Sequence, residues 1–388
     1  MTGPSVNLAV AGKFHYFNYV GLLADAGLLN RFYYSHKLSS HAEFNLPPQS
    51  VNATAKEHLL QGSRRLFGQR YSHIIDPWFG ALWAWEVMLR WSPADLLHVL
   101  AHGHALPLVH RAKRDGAKVI AEMVNTHHDN TRRVYERECE KWRIRPKPNN
   151  GTLTDRMDQE ADAADLLLVP SEPVRQSFAE RGYTNIAKLP YGANLSRFYA
   201  APARAPEPGG PLRVVCVGGI GLRKGQLHLL EAVRQLGSKV RLTLVGVVDD
   251  EVRERIADYE GTFDYIKTIP NSELVGLLHA NDVFVLPSNE EGMAVANCEA
   301  LAAGLAVVTT YESGAGEIIR HGENGLLVEA GQSDSIRAAL EQLWGDRDLA
   351  ARLGQSAAQS VREVANWQHY AEGLIEIYRD LAPAARSA

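Results

Sequence analysis

Cysteine is scarce in this chain, with three residues, Cys139, Cys216 and Cys298, among 388. They lie far apart and show no CxxC spacing, which argues against a disulfide framework or a zinc knuckle and fits a reducing compartment. No uninterrupted apolar run reaches the ~18 residues of a membrane span. The opening MTGPSVNLAVAG has neither the basic n-region nor the longer apolar core of a secretory signal. The chain therefore reads as cytoplasmic, with peripheral attachment to the inner face of a membrane left open. Charge of one sign is also missing, since 41 basic and 45 acidic side chains leave a formal net charge of −4. That balance gives no footprint for nucleic acid, so an anionic ligand has to be held by a local group of cations. There is no fixed-period repeat, no G-x-S-x-G elbow and no P-loop, which argues against hydrolase and kinase readings.

What is present is glycine and proline at informative places. Ala201 to Pro211, APARAPEPGGP, can continue neither helix nor strand and splits the chain into near-equal halves. The expected organisation is a first domain over 1–200, a linker over 201–211, a second domain over 212–365, and a terminal helix over 366–388. Each half opens with a short apolar run ending at glycine, Val6 to Ala11 before Gly12 and Leu212 to Val217 before Gly218. Such runs read as buried parallel strands entering βα units. Further runs at Leu96–Leu100, Lys118–Ala121, Leu166–Val169, Val240–Val245, Val283–Leu286 and Leu305–Thr309 alternate with helix-length segments such as Gln226–Leu236 and Ser333–Leu343. The pattern predicts an α/β protein with two Rossmann-like, doubly wound parallel sheets. Ligand would bind between the carboxyl ends of their strands.

Two segments of the second half carry chemistry. In PSNEEGMAVANCEALAAG, Pro287 to Gly304, a loop holds Glu291 and Gly292, a helix starts near Ala294, and Glu299 follows Glu291 by eight positions. At 1.5 Å rise per helical residue the two carboxylates lie roughly 10 Å apart. That separation suits hydroxyls at opposite ends of a nucleotide sugar, with the diphosphate on the helix amides between them. A solvated loop glutamate and an ordinary helix glutamate are the plain alternative. In VGGIGLRKG, Val217 to Gly225, a glycine turn brings Arg223 and Lys224 to a helix start, a local pocket for a diphosphate. Gly219, Gly221 and Gly225 also approximate a dinucleotide-binding turn, but its acidic partner is missing, because Asp249 and Asp250 come too late.

In this order and spacing the two segments resemble retaining glycosyltransferases of family 4, which have the glycosyltransferase-B fold. The E-x7-E element of that family looks like Glu291 to Glu299. Its EGFGL stretch looks like Glu291, Gly292, Met293, Ala294 and Val295, and its EAMAxGxPVV like Glu299 to Val308. VGRLxxxKG matches Val217, Gly218, Lys224 and Gly225, whereas Gly219 stands where many members carry an arginine. Tyr191 to Phe198 resembles NGVDxxxF, with Asn194 in place of the aspartate. The resemblance implies transfer of a sugar from a nucleotide-diphosphate donor to an acceptor hydroxyl with retention, without metal or other cofactor. No D-x-D motif accompanies the donor elements. Arg223 and Lys224 would stabilise the leaving diphosphate, Glu291 would hold sugar hydroxyls, and Glu299 the ribose. In the first half the family keeps a glycine loop near the donor phosphates, which places Gly12 beside them, with Lys13 and His15 facing donor or acceptor. It also places a histidine after a strand, where VIAEMVNTHHD favours His127 over His128 as the contact to the donor sugar. Glu122 is expected at the same cleft.

The donor base, expected to be read near Thr268 to Asn271, and the acceptor, a glycan, a lipid-linked or a small-molecule hydroxyl, stay open. A nucleotide-sugar epimerase of the same architecture and a non-catalytic nucleotide-sugar binder are the alternatives, with a dinucleotide oxidoreductase last. His98, His102, His104 and His110 lack the HExxH pattern of a zinc site and read as strand, turn and helix. Trp78, Trp83, Trp85 and Trp91, preceded by Arg64, Arg65 and Arg70, read first as a helix packed on the first domain and second as a surface for an anionic bilayer.

Overall fold

The computed structural model describes residues 3–36, 45–59, 72–148, 151–200 and 209–381, with 72–79 as backbone only. Most of the proline-rich segment at 201–211, and Arg64, Arg65 and Arg70, fall outside the described residues.

Two parallel sheets organise the chain. The first contains β1 (Val6–Val10), β2 (Leu29–Tyr34), β3 (Ser50–Asn52), β4 (Leu96–Leu100), β5 (Lys118–Glu122), β6 (Leu166–Val169) and β7 (Ile186–Lys188), in the order β3-β2-β1-β4-β5-β6-β7. The second contains β8 (Leu212–Val217), β9 (Val240–Val245), β10 (Phe263–Ile266), β11 (Val283–Leu286), β12 (Ala306–Thr310) and β13 (Leu326–Val328), in the order β10-β9-β8-β11-β12-β13. The six strands of the second sheet repeat the order of the first six of the first. In both, the winding reverses beside the opening strand, between β1 and β4 and between β8 and β11, and an open α/β sheet leaves a crevice there.

The central strands are apolar on both faces because helices cover both. Every residue of β1, β4, β11 and β12 is buried. The edge strands β3, β7, β10 and β13 have three or four residues each and are partly exposed, so they carry almost no period-2 signal. One apolar core is continuous between the domains, running from Leu8 and Phe32 of the first sheet through Leu286 and Leu301 to Leu374 and Tyr378 of the last helix. A separate core on the other face of the first sheet contains Trp83, Val99, Leu108 and Phe178. Cys139, Cys216 and Cys298 are free and buried.

The helix Ser72–Leu89 settles part of the tryptophan question. Trp83 is fully buried, and Trp91 donates to Asp115 at 2.7 Å and stacks on Tyr33, whereas Trp85 and Leu89 face outward. No described helix is long and apolar enough to cross a membrane. The histidines of the first half are scattered. His98 lies in β4, and Glu160 caps the amides of Gly103, Ala105 and Leu106 beside His102 and His104. Burial pushes both of those histidines down to about 4, which keeps them neutral.

Candidate functional site

The second domain builds one wall of the interdomain cleft from the ends of β8 and β11. After β8 the chain turns through Gly218 to Gly225, and buried Gln226 pins the turn, donating from Nε2 to the Gly219 carbonyl and accepting from the Gly221 amide. Gly225 has φ +71°, and a Cβ there would sit 2.0 Å from the Pro287 carbonyl oxygen, so glycine lets the two loops touch. Asn289 then binds the β8 loop by its amide to the Arg223 carbonyl at 2.8 Å and by its side chain to the Leu222 carbonyl at 2.8 Å.

This clamp sets Arg223 and Lys224 against the loop that carries Glu291. Arg223 Nη1 lies 2.9 Å from Glu291 Oε2, and Lys224 Nζ pairs with Oε1 of the same carboxylate. Burial works against the Arg223 charge, but Glu291 and then Glu290 outweigh it and hold the guanidinium above its ordinary value. The helix Val295–Ala302 starts just beyond, with Ala294 at its N-cap and no side-chain cap. The Asn297 amide donates to the Ala294 carbonyl at 3.0 Å, which leaves those of Val295 and Ala296, without a bond among the described residues, for an anion. Glu299 is half-buried on this helix and its carboxylate has no hydrogen bond or ion pair among the described residues. Burial alone pushes it up to about 7. Met293 and Ala294 are buried behind the loop. A Cβ added to Gly219 would meet nothing within 4 Å, so packing leaves room for the arginine the motif favours. The segment at Thr268 to Asn271 leads into the helix Asn271–His279, whose N-cap is Pro270.

In the first domain His15 and Glu122 meet each other. Gly12, with φ +157°, and exposed Lys13 stay in the loop after β1, but His15 turns inward. Its Nε2 meets Glu122 Oε1 at 2.7 Å, and its ring packs on Tyr191 and Trp367. Glu122 is fully buried at the end of β5 and also accepts from the Tyr370 hydroxyl at 3.1 Å. His98 Nε2 lies 3.3 Å from it and His98 Nδ1 is bonded to Tyr378 at 2.7 Å. His15 and Glu122 therefore belong to the joint between the first domain and the Trp367–Leu381 helix. Burial pushes the Glu122 carboxyl up, but His15 and His98 together hold it well below its usual value.

His127 is turned toward its own domain. It caps the helix His128–Trp142 by accepting from the Asp129 amide at 3.2 Å, and its ring lies against Phe178 of its own domain. His128 instead lines a cavity of about 460 Å³ between the domains, together with Tyr135, Leu222, Arg223 and Glu290. The donor atoms of His127, His128 and Asp129 lie within 4.8 Å of one another. Both imidazole Nε2 atoms already meet Asp158, at 3.2 and 2.8 Å, and Arg181 pairs with Asp129, so each member of the group has a polar partner.

Several residues that close the cleft carry no motif. Ser171 donates to the Gly292 carbonyl at 2.5 Å, and a Cβ on Gly292 would lie 1.7 Å from the Val124 carbonyl oxygen. Buried Glu138 of the first domain meets buried His228 of the second at 2.6 Å. Glu290, directly before Glu291, reaches Thr126 across the cleft. The doubled acid EEG was the one available sequence signal for Glu290.

The glycine turn, the cationic pair and the E-x7-E loop all sit at the reversal of the second sheet. The family model for glycosyl transferases group 1 matches residues 200–360. A D-inositol 3-phosphate glycosyltransferase of Nocardia farcinica is 30% identical over 356 residues, covering 86% of this chain and 71% of that protein. The chain belongs to the group 1 glycosyl transferases. An enzyme of the same name from Rhodococcus erythropolis is 32% identical over 188 residues, 47% of this chain and 37% of that protein. An alpha-maltose-1-phosphate synthase of Mycolicibacterium smegmatis is 30% identical over 185 residues, 44% and 48% of the two chains. These two matches thus span less than half of either relative. Among solved structures, Anabaena HepE with UDP and glucose superposes with a TM-score of 0.66 at 13% identity, covering 97% of this chain and all of that one. Sucrose-phosphate synthase of Thermosynechococcus elongatus gives 0.66 at 18%, covering 97% and 99%. The fold of this group 1 member is the two-domain glycosyltransferase-B architecture.

Proposed function

We propose that this group 1 glycosyl transferase is a retaining enzyme of family 4 type that moves a sugar from a nucleotide-diphosphate donor to an acceptor hydroxyl. One observation carries the reading: Glu291 is held by both Arg223 and Lys224 at the uncapped start of the Val295–Ala302 helix, where the second sheet reverses. A carboxylate gripped by two cations beside open amides marks where a diphosphate and a sugar exchange into the same contacts. On donor arrival the diphosphate takes Arg223, Lys224 and the helix amides, and Glu291 turns to sugar hydroxyls. Glu299 accepts from the ribose.

Catalysis is electrostatic. The bond between the anomeric carbon and the phosphate oxygen breaks, and the two cations and the helix amides stabilise the charge that grows on the leaving diphosphate. The acceptor oxygen bonds to the anomeric carbon on the face the diphosphate leaves, and its proton passes to the departing phosphate oxygen. Gly12 and Lys13 lie on the facing loop. No metal ion or other cofactor enters this scheme. The acceptor is a glycan, a lipid-linked or a small-molecule hydroxyl. The test is turnover of UDP-, GDP- and ADP-sugars with and without acceptors, and NMR of the product anomer. An inverted anomer, or binding of NAD but of no nucleoside diphosphate, overturns the reading.

A further inference from the structure

Glu290 has no place in the scheme above, yet it is among the least exposed carboxylates of the second domain. It is 2% exposed and sits on the loop after β11. Its Oε1 accepts from the Thr126 amide at 3.0 Å and from the Thr126 hydroxyl at 2.9 Å, both on the first domain. Its Oε2 is buried without a hydrogen-bond partner among the described residues and lies 3.6 Å from Arg223 Nη1. The same Nη1 donates to the Glu290 carbonyl at 3.3 Å and meets Glu291 at 2.9 Å. One guanidinium nitrogen is thus shared by two neighbouring carboxylates, and only one of them is tied to the opposite domain.

A carboxylate buried with one oxygen unsatisfied retains part of its desolvation cost. Here that cost is met only while Thr126 is in reach, so the arrangement exists in the closed molecule. When the domains part, Glu290 loses both first-domain donors and Arg223 loses a fixed neighbour. Resting on the donor reading above, we propose that Glu290 is a positioning residue that couples closure of the two domains to the placement of Arg223. When Glu291 leaves Arg223 for the sugar, Glu290 remains as the charge that stops the guanidinium from swinging out with the nucleotide. Its negative charge also weakens the grip on the bare diphosphate, which favours release of the spent donor. A residue that only filled space would do neither.

The opposite signs of these two effects make the test specific. Glu290→Gln keeps an acceptor for Thr126 but removes the charge on Arg223. The expected result is a fall in kcat of about tenfold or more, with KM for donor and Kd for UDP or GDP unchanged or lowered by about threefold. Thr126→Val removes one of the two cross-domain bonds and keeps the charge, so kcat falls by about threefold with nucleotide Kd unchanged. Small-angle scattering of Thr126→Val with nucleotide bound should show a larger radius of gyration than the parent at unchanged thermal stability, whereas Glu290→Gln, which keeps the acceptor for Thr126, should stay as compact as the parent. Unchanged kcat in Glu290→Gln, or parallel losses in kcat, affinity and stability, overturns the proposal. If the parent protein turns over no nucleotide sugar, the donor reading fails by itself. Scattering and hydrogen exchange at the Thr126 amide then decide the coupling: a Thr126→Val variant as compact and as protected there as the parent refutes it, and an opened one supports it.

Discussion

The two sheets share a strand order, yet their reversal points have opposite contents. At the ends of β8 and β11 the chain leaves open space above Gly219, a cation pair that shares Glu291, and an uncapped helix start. After β1 the equivalent loop sends His15 inward to buried Glu122, under Tyr191, Trp367 and Tyr370. The hydroxyls of Tyr16, Tyr19 and Tyr191 and the Trp367 Nε1 are buried there without hydrogen-bond partners among the described residues. Topology supplies a crevice in both domains, and side chains make one a groove and the other a joint.

The strongest way to break this comparison is to cut the groove. Lys224→Ala or Glu291→Ala should lower kcat/KM by about 10²- to 10³-fold, the usual cost of one group that stabilises developing charge, with little change in melting temperature. Initial rates beside thermal denaturation check this, and a parallel loss of stability would place those residues in a structural role. The joint should behave in the reverse way. Glu122→Leu leaves His15 and His98 facing an apolar site and should cost about 2–4 kcal/mol of stability, while nucleotide affinity in the surviving fold is nearly unchanged.

The Glu122 carboxyl also fixes a pH dependence. Its folded value is held below the ordinary 4.5, so its contribution is present above pH 4.5 and is lost as pH falls through the lower, folded value. Denaturant titrations of Glu122→Gln at falling pH should show a shallower acid decline than the parent. Glu299 supplies the contrast on the groove side, because burial raises it to about 7. Nucleotide affinity should rise as pH increases through 7 and the carboxylate forms to accept from ribose, and Glu299→Gln should flatten that slope in calorimetry. The smallest expected effect is Gly219→Arg. Open space and a nearby diphosphate predict donor Kd tightened by about three- to tenfold, with unchanged stability.

How much of this was legible in the sequence follows the same division. The elements that build the groove read almost residue for residue. Strands β4, β6, β8, β9 and β11 and the helix Gln226–Leu236 keep the bounds their apolar runs imply, and the cleft helix begins one residue past Ala294. Local spacing decides such features, because a buried strand must be apolar and a close loop contact must use glycine. His15, Glu122 and His127 read less well. Each stands at the right place along the chain, but its direction is set by partners far away in sequence: Tyr370 and Trp367 for the first two, and Asp158 and Phe178 for the third. Edge strands of three or four residues gave no period to read. Glu290 and Thr126 meet across 164 positions, a distance no local pattern reports.

The return of the last helix to the first domain has a mechanical consequence. The backbone passes between the domains twice, once after β7 and again at Asn366. The two passages lie back to back, because a Cβ on Gly192 would touch the backbone of Asn366 and Trp367, and the Ala193 amide donates to the Ala365 carbonyl at 3.2 Å. A single tether permits swivelling in any direction, whereas two adjacent tethers act as a door hinge with one axis. Rotation about that axis would carry Thr126 and Val124 away from Glu290 and Gly292 along one arc and return them to the same alignment of the loop after β5 with the cationic pair.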